Sequence, residues 1–247
     1  MRVRLAGVGH STIDIVGDVS LVVWLCGCNL RCPFCHNWKI ARNDPALCRE
    51  VEIERVLERL ESARGLADSV LVTGGEPLLQ PEATAAILSK ASELGMRPVL
   101  ESNLTIPEAL RTVLDLAFVN EIVTDIKVPP EAMMGLSPEV ARRAWSSFLE
   151  SLRIAVERVP RVTLRLPIYP GELRRRDTYL ARIGRYLEQV RSIVEPRLES
   201  GECRVEIVAV ETEMVETPVP PAELQRIIET SLGLTEGSRH EDRGRRH

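Results

Sequence analysis

The apolar residues of this chain fall into short, nearly continuous β-branched runs, separated by longer segments in which they recur every three or four positions. Runs over 20–25, 69–73, 97–101, 121–126, 161–167 and 204–210 predict strands covered on both faces, since a strand with one wet face alternates instead. Between them, Ile53, Leu57 and Leu60 share one helical face, as do Ile87, Ala91 and Leu94. Longer stripes run through Ala141, Trp145, Phe148, Leu152 and Ala155, then through Ile183, Leu187, Val190 and Val194, at the spacing of amphipathic helices. A last helix is expected around 220–232, where prolines suit a first turn. Repeated alternation of strand and helix predicts a parallel sheet with helices outside it. Six such units are too few to close an eight-stranded barrel. The expected fold class is therefore α/β, an open partial (β/α)6 TIM-like barrel. No internal repeat or linker is visible, so one domain is expected over 1–234, followed by a charged, aperiodic tail at 235–247 that should fray.

Composition narrows the function. A length of 247 residues with 44% apolar content suits one core of barrel size. A formal net charge of -4 gives no electrostatic case for nucleic acid. No apolar run approaches the roughly 18 residues of a membrane helix, and Met1-Arg2-Val3-Arg4 leads into no signal-peptide core. The expectation is a cytoplasmic protein that partners neither nucleic acid nor membrane. Six cysteines in a chain of this length make no disulfide framework; clustered, they favour metal or redox work. Of 32 basic residues three are lysine (Lys39, Lys90, Lys127), so a lysine inside a motif stands out.

The cysteines Cys28, Cys32 and Cys35 follow directly on the apolar run Leu21-Val22-Val23-Trp24-Leu25. Thiols at this spacing converge when the backbone wraps as a loop around one small object. Three are too few to close a tetrahedral zinc site or a four-iron cube, and a site one ligand short leaves a metal corner open for chemistry. A zinc loop with its fourth ligand elsewhere remains the alternative. In parallel βα folds the working residues sit at the carboxyl ends of the strands. The cysteine loop follows the first parallel strand, Thr73-Gly74-Gly75-Glu76-Pro77 ends the second and Glu101-Ser102-Asn103 the third. Asp125-Ile126-Lys127 ends the fourth, and Arg165 lies in the fifth. Polar groups from five strand ends on one rim describe a single site. Each also has a plain structural reading: a strand-to-helix turn at Gly74–Pro77, a helix cap at Ser102 and Asn103, and polar helix-start residues at His36 and Asn37. Asp125 and Lys127 point to one side of their strand and could simply pair, and Arg165 could bridge to a strand-end acid.

The loop Cys28-Asn29-Leu30-Arg31-Cys32-Pro33-Phe34-Cys35, on its tryptophan-bearing strand, resembles the CxxxCx(aromatic)C motif of radical SAM enzymes. The resemblance runs over about residues 10–171. It implies a [4Fe–4S] cluster held by Cys28, Cys32 and Cys35, with S-adenosylmethionine on the fourth iron. It further implies that the backbone of Gly74 and Gly75 and the carboxylate of Glu76 hold the methionyl ammonium, and that Lys127 faces the cofactor. Arg165, within Leu164 to Gly171, matches an Arg…Pro-Gly segment lining the cofactor and substrate mouth. The stretch Gly27 to Asn37 is similar to the branch that activates anaerobic ribonucleoside-triphosphate reductase, which implies that His36 and Asn37 neighbour cluster and cofactor, beside Phe34, Ser102 and Asn103. Asp125-Ile126-Lys127 resembles a stretch of glycyl-radical-enzyme activating enzymes, in which the aspartate joins a strand-three acid and hydroxyl at a monovalent-cation site. Here that set is Asp125, Glu101 and Ser102, with glutamate replacing the relatives' aspartate. His10-Ser11-Thr12-Ile13-Asp14 resembles the start of pyruvate formate-lyase activating enzymes, with Asp14 near the substrate peptide, although the chain continues Ile15-Val16-Gly17 rather than Gly-Pro-Gly.

Cys26 is expected to be an internal packing residue. Because Cys48 alone lies between the loop and Gly74, the chain reads as a minimal, single-cluster enzyme. The implied activity is reductive cleavage of S-adenosylmethionine to a 5′-deoxyadenosyl radical that abstracts hydrogen from a backbone glycine of a partner glycyl radical enzyme. Flavodoxin or ferredoxin is the implied electron donor. The alternatives are a small-molecule reaction like that of 7-carboxy-7-deazaguanine synthase and a non-catalytic zinc or iron–sulfur module.

Overall fold

The structure, a computed structural model, describes residues 1–15, 17–168 and 176–209. Its strands are β1 (Arg2–Ser11), β2 (Ser20–Leu25), β3 (Arg49–Glu52), β4 (Ser69–Gly74), β5 (Arg97–Glu101), β6 (Glu121–Asp125), β7 (Arg161–Ile168) and β8 (Cys203–Ala209). The helices are α1 (Trp38–Ala41), α2 (Ile53–Ser62), α3 (Pro81–Glu93), α4 (Pro107–Leu116), α5 (Pro130–Met133), α6 (Pro138–Arg158) and α7 (Arg176–Glu199). All strands join one sheet in the order β3-β1-β2-β4-β5-β6-β7-β8. From β2 through β8 the neighbours run parallel, which is the expected six-stranded open barrel.

Two strands were not legible in the pattern. β1 and β3 extend the β2 edge as antiparallel neighbours. β3 is four residues of mostly exposed Arg and Glu, and β1 is interrupted by Gly7 and Gly9, so neither shows a hydrophobic run. The expected helix at 220–232, the tail and the Tyr169–Gly171 part of the Arg165 segment lie outside the described residues. Among the described residues no helix is long and apolar enough to cross a membrane.

The near-continuous apolar runs have a simple cause: the central strands are covered on both faces. Their outer face, with Leu21, Val23, Leu25, Val70, Val72, Leu100 and Ile122, packs on Leu60, Ile87, Leu110, Phe148 and Leu187 of the helices. On the inner face Val22, Leu71 and Val99 form a second apolar layer with Trp24 and Val123. Two residues further along the same strands stand Thr73, Glu101 and Asp125, on the same side by alternation. The inner apolar layer is thus a floor, and the polar residues form a rim above it. Pro81, Pro107 and Pro138 open α3, α4 and α6 at the first turn, where a missing N–H costs nothing.

Candidate active site

Above the floor lies a cavity of about 420 Å³, lined by all three loop cysteines, by Gly74 and Gly75, and by Asp125, Lys127 and Arg165. The cysteine loop leaves β2 through Gly27, whose φ of +93° is a left-handed conformation open to glycine. Its path is fixed by the Gly27 N–H donating to the Ile40 carbonyl and the Arg31 N–H to that of Met134. At Gly135 a Cβ would stand 1.9 Å from the Arg31 oxygen, so glycine there lets the α5–α6 turn touch the loop. Cys28 Sγ accepts from the Leu30 N–H at 3.4 Å and from Asn103 Nδ2 at 3.7 Å. Burial pushes all three thiols up, Cys32 to about 11, while the Lys127 charge works against it. A metal centre here must displace protons. Three soft sulfur donors on one wall, with amide donors and an ammonium around them, fit an iron–sulfur cluster. Among the described residues no three His, Cys, Asp or Glu side chains are grouped to hold a single metal ion, whereas a cluster presents a separate iron to each thiolate.

The turn after β4 is tied to the root of that loop. Gly75 N–H donates to Leu25 O at 2.8 Å and Glu76 N–H to Gly27 O at 2.7 Å. A Cβ on Gly74 would lie 2.3 Å from Leu25 O, and one on Gly75 would lie 2.0 Å from Gly27 O. Gly74 has the positive φ, +120°. The glycines are therefore required by backbone packed on backbone.

Glu76 departs from its expected role. It is fully buried, and its Oε1 accepts from Leu78 N–H and Ser102 Oγ while Oε2 accepts from Asn103 N–H. The carboxylate fastens the β4 turn to the β5 turn and is absent from the cavity wall. Burial, the largest influence, pushes this carboxyl up against the three donors. Sequence spacing could not reveal which way the side chain turns.

Across the rim runs a belt of alternating partners. Thr73 Oγ1 donates to Glu101 Oε2 at 2.7 Å, and Glu101 Oε1 is bound by Arg165. Arg165 Nε donates to Asp125 Oδ1 at 3.0 Å, and Asp125 Oδ2 accepts from Lys127 Nζ at 3.0 Å. Burial opposes ionisation of Asp125, yet Lys127 and Arg165 outweigh it and hold the carboxyl below its usual range. Burial likewise disfavours charge on Lys127, and Asp125 and Cys32 reverse it, leaving the ammonium more basic than usual.

Arg165 lines the cavity and also takes its plain structural reading, a bridge to strand-end acids, because two protein carboxylates share its guanidinium. One expectation is corrected here: Glu101, Ser102 and Asp125 do not assemble as a cation site, because the Ser102 hydroxyl turns to Glu76 and Arg165 stands between the two acids.

Phe34, His36, Asn37, Ser102, Asn103 and Asp14 all line the cavity, as does Trp24. Asn37 Nδ2 reaches Gly74 O at 3.4 Å. Asn103 owes its aim to neighbours that no motif marked: its Nδ2 donates to Asn29 Oδ1 at 2.9 Å, and its Oδ1 accepts from Thr105 Oγ1 at 2.6 Å. The Trp24 ring rests on Gly9, where a Cβ would be 3.4 Å away. Cys26 is not a free packing thiol; it is bonded to Cys48, while Cys203 stays free and buried. The apolar setting of Cys26 suggested packing, but a partner 22 residues away is invisible to periodicity.

Residues 22–181 match the family described as the radical SAM superfamily. The chain is 31% identical over 128 residues to a glycyl-radical enzyme activating enzyme of Methanocaldococcus jannaschii, a match covering 51% of each. It is 35% identical over 162 residues to the 7-carboxy-7-deazaguanine synthase of Hyperthermus butylicus, covering 62% of this chain and 66% of that one. With the pyruvate formate-lyase-activating enzyme of Streptococcus mutans it shares 28% over 184 residues, 71% and 68% of the two chains. The chain thus spans half to two thirds of the length of these curated relatives. Among solved structures, Streptococcus suis SuiB bound to precursor peptide SuiA gives a TM-score of 0.58 at 14% identity over 87% of this chain and 46% of that one. TYW1 with a lysine-pyruvate adduct bound gives 0.57 at 13% over 85% and 73%. At such identities the likeness is one of fold.

Proposed function

The chain belongs to the radical SAM superfamily, and from that premise we propose that it is an activating enzyme that places a glycyl radical on a partner protein. The observation that carries this reading is the single cavity wall shared by Cys28, Cys32, Cys35 and Lys127 at the carboxyl ends of parallel strands. Cys28, Cys32 and Cys35 would hold a [4Fe–4S] cluster that leaves one iron for S-adenosylmethionine. The chemistry supplied by that bound pair is one-electron cleavage of the sulfonium to methionine and a 5′-deoxyadenosyl radical. The residues around it bind and orient. Lys127 presents a compact cation to the methionyl carboxylate, aimed by Asp125, which Arg165 holds in turn. The Gly74–Gly75 backbone, Asn37 and Asn103 offer polar edges, and Phe34 and Trp24 add apolar wall.

A cavity of about 420 Å³ suits one mid-sized ligand, the usual range being roughly 300–1,000 Å³. Cluster and cofactor would together occupy it, which would leave a substrate glycine the mouth, where Asp14 is exposed. The match to the glycyl-radical enzyme activating enzyme supports a protein substrate. Reduced flavodoxin or ferredoxin supplies the electron. Anaerobic incubation with S-adenosylmethionine, such a donor and an anaerobic ribonucleotide reductase should give a glycyl-radical electron paramagnetic resonance signal. Cofactor cleavage without radical transfer to any glycyl radical enzyme would sink the assignment.

A second reading has its own support. The likeness to 7-carboxy-7-deazaguanine synthase, together with the Trp24 ring on the cavity wall, suits a flat heterocyclic substrate. Formation of 7-carboxy-7-deazaguanine separates it from the first.

A further inference from the structure

Four of the six cysteines crowd into residues 26–35, yet three of those four line the cavity. The other, Cys26, stands two residues before Cys28 at the foot of the loop, bonded to Cys48 with the Cα atoms 6.0 Å apart. The bond closes a ring that contains Cys28, Cys32 and Cys35 and ends where β3 begins. Within the ring, residues 37–48 are held by α1 and the turns after it, as in Ala41 N–H to Asn37 O and Cys48 N–H to Asp44 O, whereas the cysteine-bearing stretch 28–36 has within itself one backbone bond, from Cys35 N–H to Cys32 O. A ring with such a stretch has many shapes open to it when nothing fills it. A cross-link between its ends removes the extended ones. The bond also hides a thiol. A free Cys26 would offer the loop a fourth soft donor two residues from Cys28, and four thiolates close a zinc site.

We propose that the Cys26–Cys48 disulfide is a clasp that keeps the three-thiol loop in shape before its cluster enters and withholds a fourth thiol from it. This rests on the assignment of Cys28, Cys32 and Cys35 to a cluster. Cys26 and Cys48 are then positioning residues. Their two thiols join with loss of two protons and two electrons, passed by thiol–disulfide exchange to an oxidised dithiol carrier protein, which leaves as the dithiol.

Cells lysed anaerobically into denaturant with iodoacetamide, and digested without reductant, should yield a Cys26–Cys48 cross-linked peptide. As apo-proteins, Cys26→Ser, Cys48→Ser and the double variant should melt below wild type by a common margin. Amide exchange through 28–40 should quicken about tenfold or more in each. On loading they part: Cys48→Ser, with Cys26 free, should take up zinc in preference to iron several-fold more than the double variant. Alkylated Cys26 and Cys48 in the trapped protein would overturn the clasp, as would unchanged melting and exchange. Equal zinc preference in Cys48→Ser and the double variant would overturn the withholding of a ligand. A wild type that binds no iron–sulfur cluster would instead break the cluster assignment, while peptide mapping, melting and exchange still decide the clasp.

Discussion

Lys127 Nζ donates to Asp125 Oδ2 at 3.0 Å, and its charge is also the leading counterweight to burial at the Cys32 thiol. The ammonium therefore serves the belt and the cysteine loop together. Lys127→Met leaves Asp125 its bond to Arg165, so no carboxylate is stranded. The stability loss should stay near one charged hydrogen bond, about 1.5–3 kcal/mol, with affinity for S-adenosylmethionine falling about tenfold or more. Calorimetric melting and equilibrium binding on the same variant check both numbers. A normal affinity would remove Lys127 from the cofactor.

Arg165→Met should be the worse of the two for folding. It leaves Glu101 with the Thr73 hydroxyl and no cation, while Asp125 keeps Lys127, and a half-buried carboxylate robbed of its cation costs up to about 3–5 kcal/mol. The comparison is made by denaturant titration of both variants; equal losses would mean that the belt is not anchored on Arg165.

Gly75→Ala puts a methyl group 2.0 Å from Gly27 O, so the β4 turn must part from the root of the cysteine loop. Iron retained after anaerobic loading should drop well below wild type, along with cofactor binding. Gly184→Ala in α7, with nothing within 4 Å of its Cβ, should load normally and serves as the control. Selective loss of cofactor affinity with full iron retention would show that Gly75 answers to the ligand instead.

Glu76→Gln keeps the shape of the side chain but sets an amide N–H₂ against donors that now face a carboxylate. A loss of about 1–3 kcal/mol is expected for one buried polar group left unmatched, with cofactor affinity changed only through the shifted Ser102–Asn103 turn. Unchanged stability with lost affinity would restore Glu76 to the cavity.

What the sequence could show and what it could not divide on physical lines. The six parallel strands were legible because burial on both faces writes an unbroken apolar run, as in Leu21 to Leu25. β3 was not, because an exposed edge strand such as Arg49–Glu52 carries no hydrophobic signature. The rim was legible because strand ends and alternation place Thr73, Glu101, Asp125 and Arg165 on one side. The direction of individual side chains was not: Glu76 and Ser102 turned to each other, and Arg165 found two acids. Such choices are made by contacts between residues 26 to 64 positions apart. The Cys26–Cys48 bond is hidden for the same reason.

Whether Cys28, Cys32 and Cys35 together hold a cluster that cleaves S-adenosylmethionine is tested most directly by one measurement: 5′-deoxyadenosine formed by anaerobically loaded protein supplied with cofactor and dithionite. Wild type should produce 5′-deoxyadenosine and methionine in equal amounts, and folded Cys28→Ala, Cys32→Ala or Cys35→Ala should produce neither, whereas Cys203→Ala should match wild type. Product from a Cys32→Ala protein, or none from a wild type that carries its full complement of iron, would contradict it.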